Sequence, residues 1–260
     1  MPPSEATSVA QPAQLFATTQ WSAVNLAGQD SSPEAKLALE RLCATYWYPL
    51  YAYVRRKGRS VEEAQDITQE FFAHFLRHNY FQRADRNRGR FRTFLLSSLG
   101  HFVINEWTKA NREKRGGWQK IISLDEEMAE SRFTAEPAEQ PPETMYDRGW
   151  AGVLLDRAWT ALSTEQSQAG KQELFERLKI YVWGEKNTLS YREMAEQLGM
   201  TEEAVKVSVH RLRKRYGELL RFEVAQTVLT AGDVEEELRY LISVIRNEMV
   251  NSGNLSAKEL

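Results

Sequence analysis

Glu70, His74 and His78 stand at i, i+4 and i+8. On a helix that spacing aligns a carboxylate and two imidazoles along one side, where they could ligate a metal ion. The His-Glu-x-x-His pairing of helical zinc hydrolases is absent, and no further cluster of ligands follows. These three residues are therefore not assigned as a metal site. Cys43 is the single cysteine, which excludes an intramolecular disulfide and a Cys-rich zinc module. Neither a Gly-x-x-x-x-Gly-Lys-Ser/Thr phosphate loop nor a serine-hydrolase elbow occurs. The chain is read as a non-enzyme with no catalytic residue and no cofactor. What its residues can do is recognition.

A second set of residues has the types and spacing for that. Counted from Tyr191, a small residue stands at place five (Ala195), a glycine at nine (Gly199) and a valine at fifteen (Val205). The fifth place must let two helices approach, the ninth must turn through the left-handed region, and the fifteenth packs the second helix on the first. With Leu198, Leu212 and Tyr216 as further inward positions, this pattern predicts a helix-turn-helix. Glu203, Lys206, Val207, His210 and Lys214 then project together from the second helix, toward base edges in a major groove. Arg211, Arg213 and Arg215 flank them and suit phosphates.

The total charge looks unfavourable to that reading: 34 basic and 36 acidic side chains give −2 and a pI near 6.2. The charge is unevenly spread. Arg83 to Arg115 holds nine bases and three acids, and Lys206 to Arg221 holds six bases and one acid. Between them, Leu124 to Asp147 holds eight acids and one base, and the last 28 residues hold six acids and three bases. Two basic islands separated by an acidic bridge are the footprint to look for in a nucleic-acid binder, whatever the total.

The elements that must position these islands are helical. Residues 1–14, rich in Pro, Ser, Ala and Gln, read as a disordered arm. A weak helix over 21–28 is followed by one from Pro33 to Lys57, bent at Pro49. Ser60-x-x-Glu63 is a capping box that opens the next, with Ala64, Ile67, Phe71 and Phe75 on one stripe. A third helix spans about 90–114, with Phe91, Phe94, Leu95, Leu99, Phe102 and Val103 inward. Residues 116–148 read as an acidic, mostly extended linker anchored at Ile121–Leu124. Helical pattern resumes at 150–162 and 173–183. A second capping box, Ser190-x-x-Glu193, opens a short helix that ends at Gly199, and another runs from Thr201 to about Val224. A final helix begins near Asp233, with Val234, Leu238, Leu241 and Ile245 on one face, and its stripe is expected to pack on the second domain or, alternatively, to bind a regulator. The fold class is all-α: two small helical bundles joined by an extended linker, the second containing the helix-turn-helix. No run approaches 18 apolar residues, so no membrane insertion is expected. The N-terminus lacks the cationic start of a secretory signal, which with the partners below implies a cytoplasmic protein.

Three segments in order carry a family likeness: VEEAQDITQEFFAHFL (61–76), FRTFLLSSLGHFVINEW (91–107) followed by KANREKR, and LSYREMAEQLGMTEEAVKVSVHRLRKRY (189–216). They resemble the core-docking, promoter-melting and −35-binding segments of bacterial RNA polymerase sigma factors of the extracytoplasmic-function class. The resemblance covers roughly residues 30–115 and 150–222.

The resemblance implies a domain at 15–115 for core docking and for binding and melting the −10 element. It further implies an acidic linker at 116–148 that threads near the polymerase active site, a −35-binding domain at 149–225, and an extension at 226–260. Glu62, Glu63, Asp66, Gln69 and Glu70 would meet a basic coiled coil on the polymerase's largest subunit. Arg86, Arg88, Arg90, Arg92, Lys109, Arg112, Lys114 and Arg115 would hold DNA around the −10 element. The loop 79–87 would capture a flipped base, with Tyr80 and Phe81 for stacking and His101 and Asn105 on the melting helix. The implied partners are core RNA polymerase and promoter DNA, with an anti-sigma protein or a kinase as regulator. The competing expectation is a helix-turn-helix transcriptional regulator with an N-terminal sensor bundle, acting without polymerase. A sensor bundle has no reason to carry a basic third helix.

Overall fold

The computed structural model describes residues 33–78, 80, 90–107, 126–136, 140–183, 189–228 and 231–251. Among them every regular element is helical, so the all-α expectation holds. The expected arm (1–14), the helix at 21–28 and the anchor at Ile121–Leu124 lie outside the described residues. The chain divides into two compact units: Met1–Trp150 together with Ala225–Leu260, and Ala151–Val224.

The first unit is built on α1 (Pro33–Arg56), α2 (Val61–Arg77) and α3 (Phe91–Phe102). Helix α1 opens with proline, whose missing N–H costs nothing at a first position, and continues through Pro49 to Arg56. Helix α2 starts at the predicted box: the Glu63 N–H donates to Ser60 Oγ (3.2 Å) and the Ser60 N–H to the Glu63 carboxylate (3.1 Å). The stripe of α2 is fully inward, and Phe71 meets Phe72, Phe75 and Phe102 at centroid distances of 5.6, 5.5 and 5.8 Å. Burying each such ring contributes roughly 2 kcal/mol. The third helix departs from expectation. Beyond Phe102 it widens into a π-helical turn, Val103–Trp107, rather than continuing as one α-helix.

The extended-linker expectation is corrected over its described residues. Glu126–Thr134 forms helix α4, and α5 begins at Pro142 and runs to Gln168. Helix α4 is held by long-range partners that spacing alone does not reveal. Arg55 donates to Glu130 twice (3.1 and 2.7 Å), the Tyr51 hydroxyl donates to the same carboxylate, and Phe133 lies under Arg55 at 4.9 Å. Helix α5 crosses α1 where Gly149 leaves room. A Cβ there would stand 3.2 Å from Pro49 Cα and from the Tyr48 ring.

The last helix, α9 (Val234–Asn251), follows a 3-10 turn at Ala231–Asp233 and belongs to the first unit. This corrects its expected packing on the second domain. Val234, Glu237 and Leu241 are buried together, and Glu237 pairs with Arg92 of α3.

The second unit contains the rest of α5, then α6 (Gln172–Trp183), α7 (Tyr191–Leu198) and α8 (Glu202–Ala225). Its core gathers Leu154, Ala158, Leu162, Phe175, Leu178, Met194, Val205 and Val209. Trp159 lies 5.3 Å from both Phe175 and Trp183 and 5.9 Å from Tyr216.

Candidate nucleic-acid interface

The turn between α7 and α8 has the predicted mechanics. Ser190 and Glu193 cap α7 reciprocally, with Glu193 N–H to Ser190 Oγ at 3.2 Å and Ser190 N–H to the Glu193 carboxylate at 2.7 Å. Gly199 closes α7 at φ +62°, ψ +31°, a left-handed position that a side chain would strain. The Ala204 N–H donates to Thr201 Oγ1 at 3.2 Å, which starts α8. Ala195 and Val205 are buried at the crossing, with Leu212 and Tyr216 farther along α8, while Leu198 is half-buried.

Opposite this core, α8 exposes Glu203, Lys206, Val207, His210, Arg211 and Lys214. The spacing of 203, 206, 207, 210 and 214 places five of them on one strip of the helix. Val207, an apolar residue left half exposed, is suited to touch a thymine methyl. Lys206 is held by Glu202 one turn back (2.7 Å), a surface pair worth little.

Two expected phosphate contacts are already engaged in the unit's own structure. Arg213 donates from Nε (3.0 Å) and Nη2 (2.5 Å) to the carbonyl of Tyr181, an acceptor left open near the end of α6. Arg215 forms a two-bond fork with Glu165 (2.8 and 2.7 Å) and a third bond to Glu218 (2.9 Å). Arg211 and Lys214 are both exposed on α8.

In the first unit, Phe81, Arg86, Arg88, Lys109, Arg112, Lys114 and Arg115 lie outside the described residues. Tyr80 is described and half-buried. Its ring stands edge-on to His74 (5.3 Å) and its hydroxyl is 3.3 Å from His74 Nε2. His74 also lies 4.4 Å from His78, ring to ring. Among the described residues no group of three ligand-type side chains could hold a metal.

Tyr80, His101 and Asn105 are brought together. With His74, Phe94, Ser98 and Phe102 they line a cavity of about 230 Å³ between α2 and α3. Its walls mix aromatic faces with hydroxyl, amide and imidazole groups. That combination can stack a planar heterocycle and hydrogen-bond its edge.

Arg90 and Arg92 are not free cations. Arg90 pairs with Glu236 (2.5 Å) and Glu237 (3.1 Å). Arg92 is 6 % exposed and is enclosed by Glu237, Asp147 and the Tyr240 ring. The assignment of Arg92 to DNA is therefore corrected: its guanidinium serves the interior.

The acidic face of α2 lies opposite its buried stripe. Glu62 and Asp66 are exposed, and Glu63, Gln69 and Glu70 are half-buried. Glu63 is committed to the capping box. Its own backbone N–H and the Ser60 hydroxyl hold the Glu62 carboxyl below its ordinary range. Partial burial and the charge of Asp66 push Glu70 upward. An acid strained in this way gains from an approaching cation.

Sequence reasoning missed Glu237, Asp147, Tyr240 and Glu130. A signal existed for Glu237: it stands three after Val234 and four before Leu241, an acid on the apolar stripe.

Among proteins of known family, residues 45–113, or 69 of the 260, match the model of Sigma-70 region 2. That stretch runs from within α1 through α2 and α3, and so contains the acidic face and the aromatic cavity. No curated protein and no solved structure matches the chain. No described helix is long and apolar enough to cross a membrane. The resemblance to region 2 of the sigma-70 factors is confined to residues 45–113.

Proposed function

We propose that the chain is a sigma factor of the extracytoplasmic-function class that binds core RNA polymerase and directs initiation at its own promoters. The observation that carries this reading is one chain holding both a region 2 match and a capped helix-turn-helix with an open recognition strip. The acidic face of α2, with Glu62, Asp66, Gln69 and Glu70, docks on a basic surface of core polymerase. Helix α8 enters the −35 major groove, with Lys206, Val207 and His210 at base edges and Arg211 on phosphates, while Lys214, farther from the helix N-terminus, moves from the expected base edges to phosphates. The cavity lined by Tyr80, Phe94, His101 and Asn105 receives a base drawn out of the −10 stack, replacing lost stacking with aromatic contact. Neither an anti-sigma protein nor a kinase is needed for this chemistry; the first would act by covering one of these surfaces, the second by adding negative charge to one. The chain is proposed to act in the cytoplasm, where core polymerase is.

Size-exclusion chromatography of the full chain with sigma-free core polymerase tests the assignment. A one-to-one complex that then retains promoter DNA is expected. A chain that never joins core yet binds an operator as a dimer would overturn the assignment in favour of a helix-turn-helix regulator with a sensor bundle.

A further inference from the structure

Helices α2 and α7 each begin with a reciprocal capping box, whereas α3 begins with none. Its N-cap residue Arg90 makes no side-chain cap bond, and its first turn holds no acid. The open N–H groups of that turn leave a partial positive charge unanswered within the helix itself. The start of α3 is held instead by side chains from far along the chain. Arg92, second in α3, donates from Nε to Glu237 Oε1 (2.6 Å) and from Nη1 to Asp147 Oδ1 (2.7 Å). Its guanidinium carbon lies 3.7 Å from the centre of the Tyr240 ring and 5.3 Å from that of Trp150. The Tyr240 hydroxyl donates to Asp147 Oδ2 (2.6 Å), and the Tyr146 hydroxyl donates to the carbonyl of Arg92 (2.9 Å). Every link in this clamp joins α3 to α5 or α9, or those two to each other.

We propose that Glu237, with Tyr240, is a positioning residue of promoter opening: through Arg92 it fixes the start of α3, and so the wall of the base-capturing cavity. This inference rests on the function proposed above. Phe94, Ser98, His101 and Phe102 of that wall all belong to α3. A helix with no cap of its own takes its axial position from whatever holds its first turn. Occlusion of DNA by the tail is the weaker reading, because Arg92 is buried behind Glu237 and Tyr240. Of the ion pairs on Arg90 and Arg92, Arg90–Glu236 is the most open, at 34 % and 66 % side-chain exposure.

The test uses the full chain with core polymerase on a promoter fragment recovered by run-off transcription. Strand opening is read by permanganate reactivity of unpaired thymines. Binding to a duplex carrying only the −35 element is read separately. Glu237→Gln should lower opening about tenfold, as expected for displaced reacting surfaces, while −35 duplex binding stays within about twofold. Tyr240→Phe keeps the ring over Arg92 and loses one hydrogen bond, and should lower opening about threefold with an unchanged circular dichroism spectrum. If Glu237→Gln unfolds the chain, Tyr240→Phe decides. Wild-type opening by Tyr240→Phe, or by a folded Glu237→Gln, overturns the proposal. So does tighter DNA binding by Glu237→Gln, the signature of occlusion. If the wild-type chain opens no promoter, the proposed function itself has failed.

Discussion

Arg92 and Glu237 are 145 positions apart in the chain, yet Arg92 Nε donates to the Glu237 carboxylate across 2.6 Å with both side chains buried. The C-terminal helix is thereby part of the first unit, and the helix-turn-helix unit is inserted in sequence between two of that unit's segments.

Glu237→Ala leaves a buried guanidinium with Asp147 as its remaining acid and should cost about 3 kcal/mol of unfolding free energy. Replacing both Arg92 and Glu237 with Met should cost less than Glu237→Ala alone, since no fully buried charge is left and the half-buried Asp147 keeps the Tyr240 hydroxyl. Urea unfolding measures both. A loss below about 1 kcal/mol for Glu237→Ala would mean the pair is solvated and the clamp weak.

On α8 the residues separate by what they touch. Lys206→Ala and His210→Ala should alter sequence preference at the −35 element. Arg211→Ala and Lys214→Ala should weaken binding to all sequences and each reduce the salt slope by about 1. Arg213→Ala should instead destabilise the second unit by about 1–2 kcal/mol, because the Tyr181 carbonyl loses its donor. Salt-titrated binding alongside thermal melting distinguishes the groups. A uniform loss of affinity from all five, at constant stability, would contradict the assignment.

Much of this was legible because it is local. Ser60 with Glu63, Ser190 with Glu193 and the left-handed Gly199 act within one turn, so their spacing was enough. The strip of α8 followed from period alone. The clamp on Arg92 and the fork on Arg215 were not legible, because an acid in a run such as Glu235–Glu237 reads as solvated until its partner is known. Helix α4 was hidden for the same reason. Its amphipathic pattern is weak, and Glu130 and Phe133 find their partners, Arg55 among them, on another helix. Local codes survive without tertiary context; buried ion pairs exist only within it.

The hydrogen bonds from Arg55, opposed by burial, hold the Glu130 carboxyl below its ordinary value of 4.5. A carboxyl depressed by folding stabilises the fold above its unfolded value, and that contribution is lost as pH falls through the folded value. Docking of α4 should therefore be complete at neutral pH and weaken below about pH 4.5. Glu130→Gln should destabilise the chain at pH 7, and by less at pH 3. An equal difference at both pH values would show that the charge is irrelevant to docking.

Glu70 has the opposite sign. Its raised carboxyl favours the folded state below the unfolded value and opposes it once ionised at neutral pH. Glu70→Gln should raise the thermal midpoint of the free chain by about 1 °C, while weakening the complex with core polymerase several-fold. Unchanged affinity would remove Glu70 from the docking face.

Run-off transcription with purified core polymerase and genomic fragments tests the central claim most directly. The account predicts discrete transcripts that require this chain, and that are abolished when Lys206 and His210 are both replaced by Ala. Tight binding of DNA by the chain alone, with no initiation by core enzyme on any fragment, would contradict it.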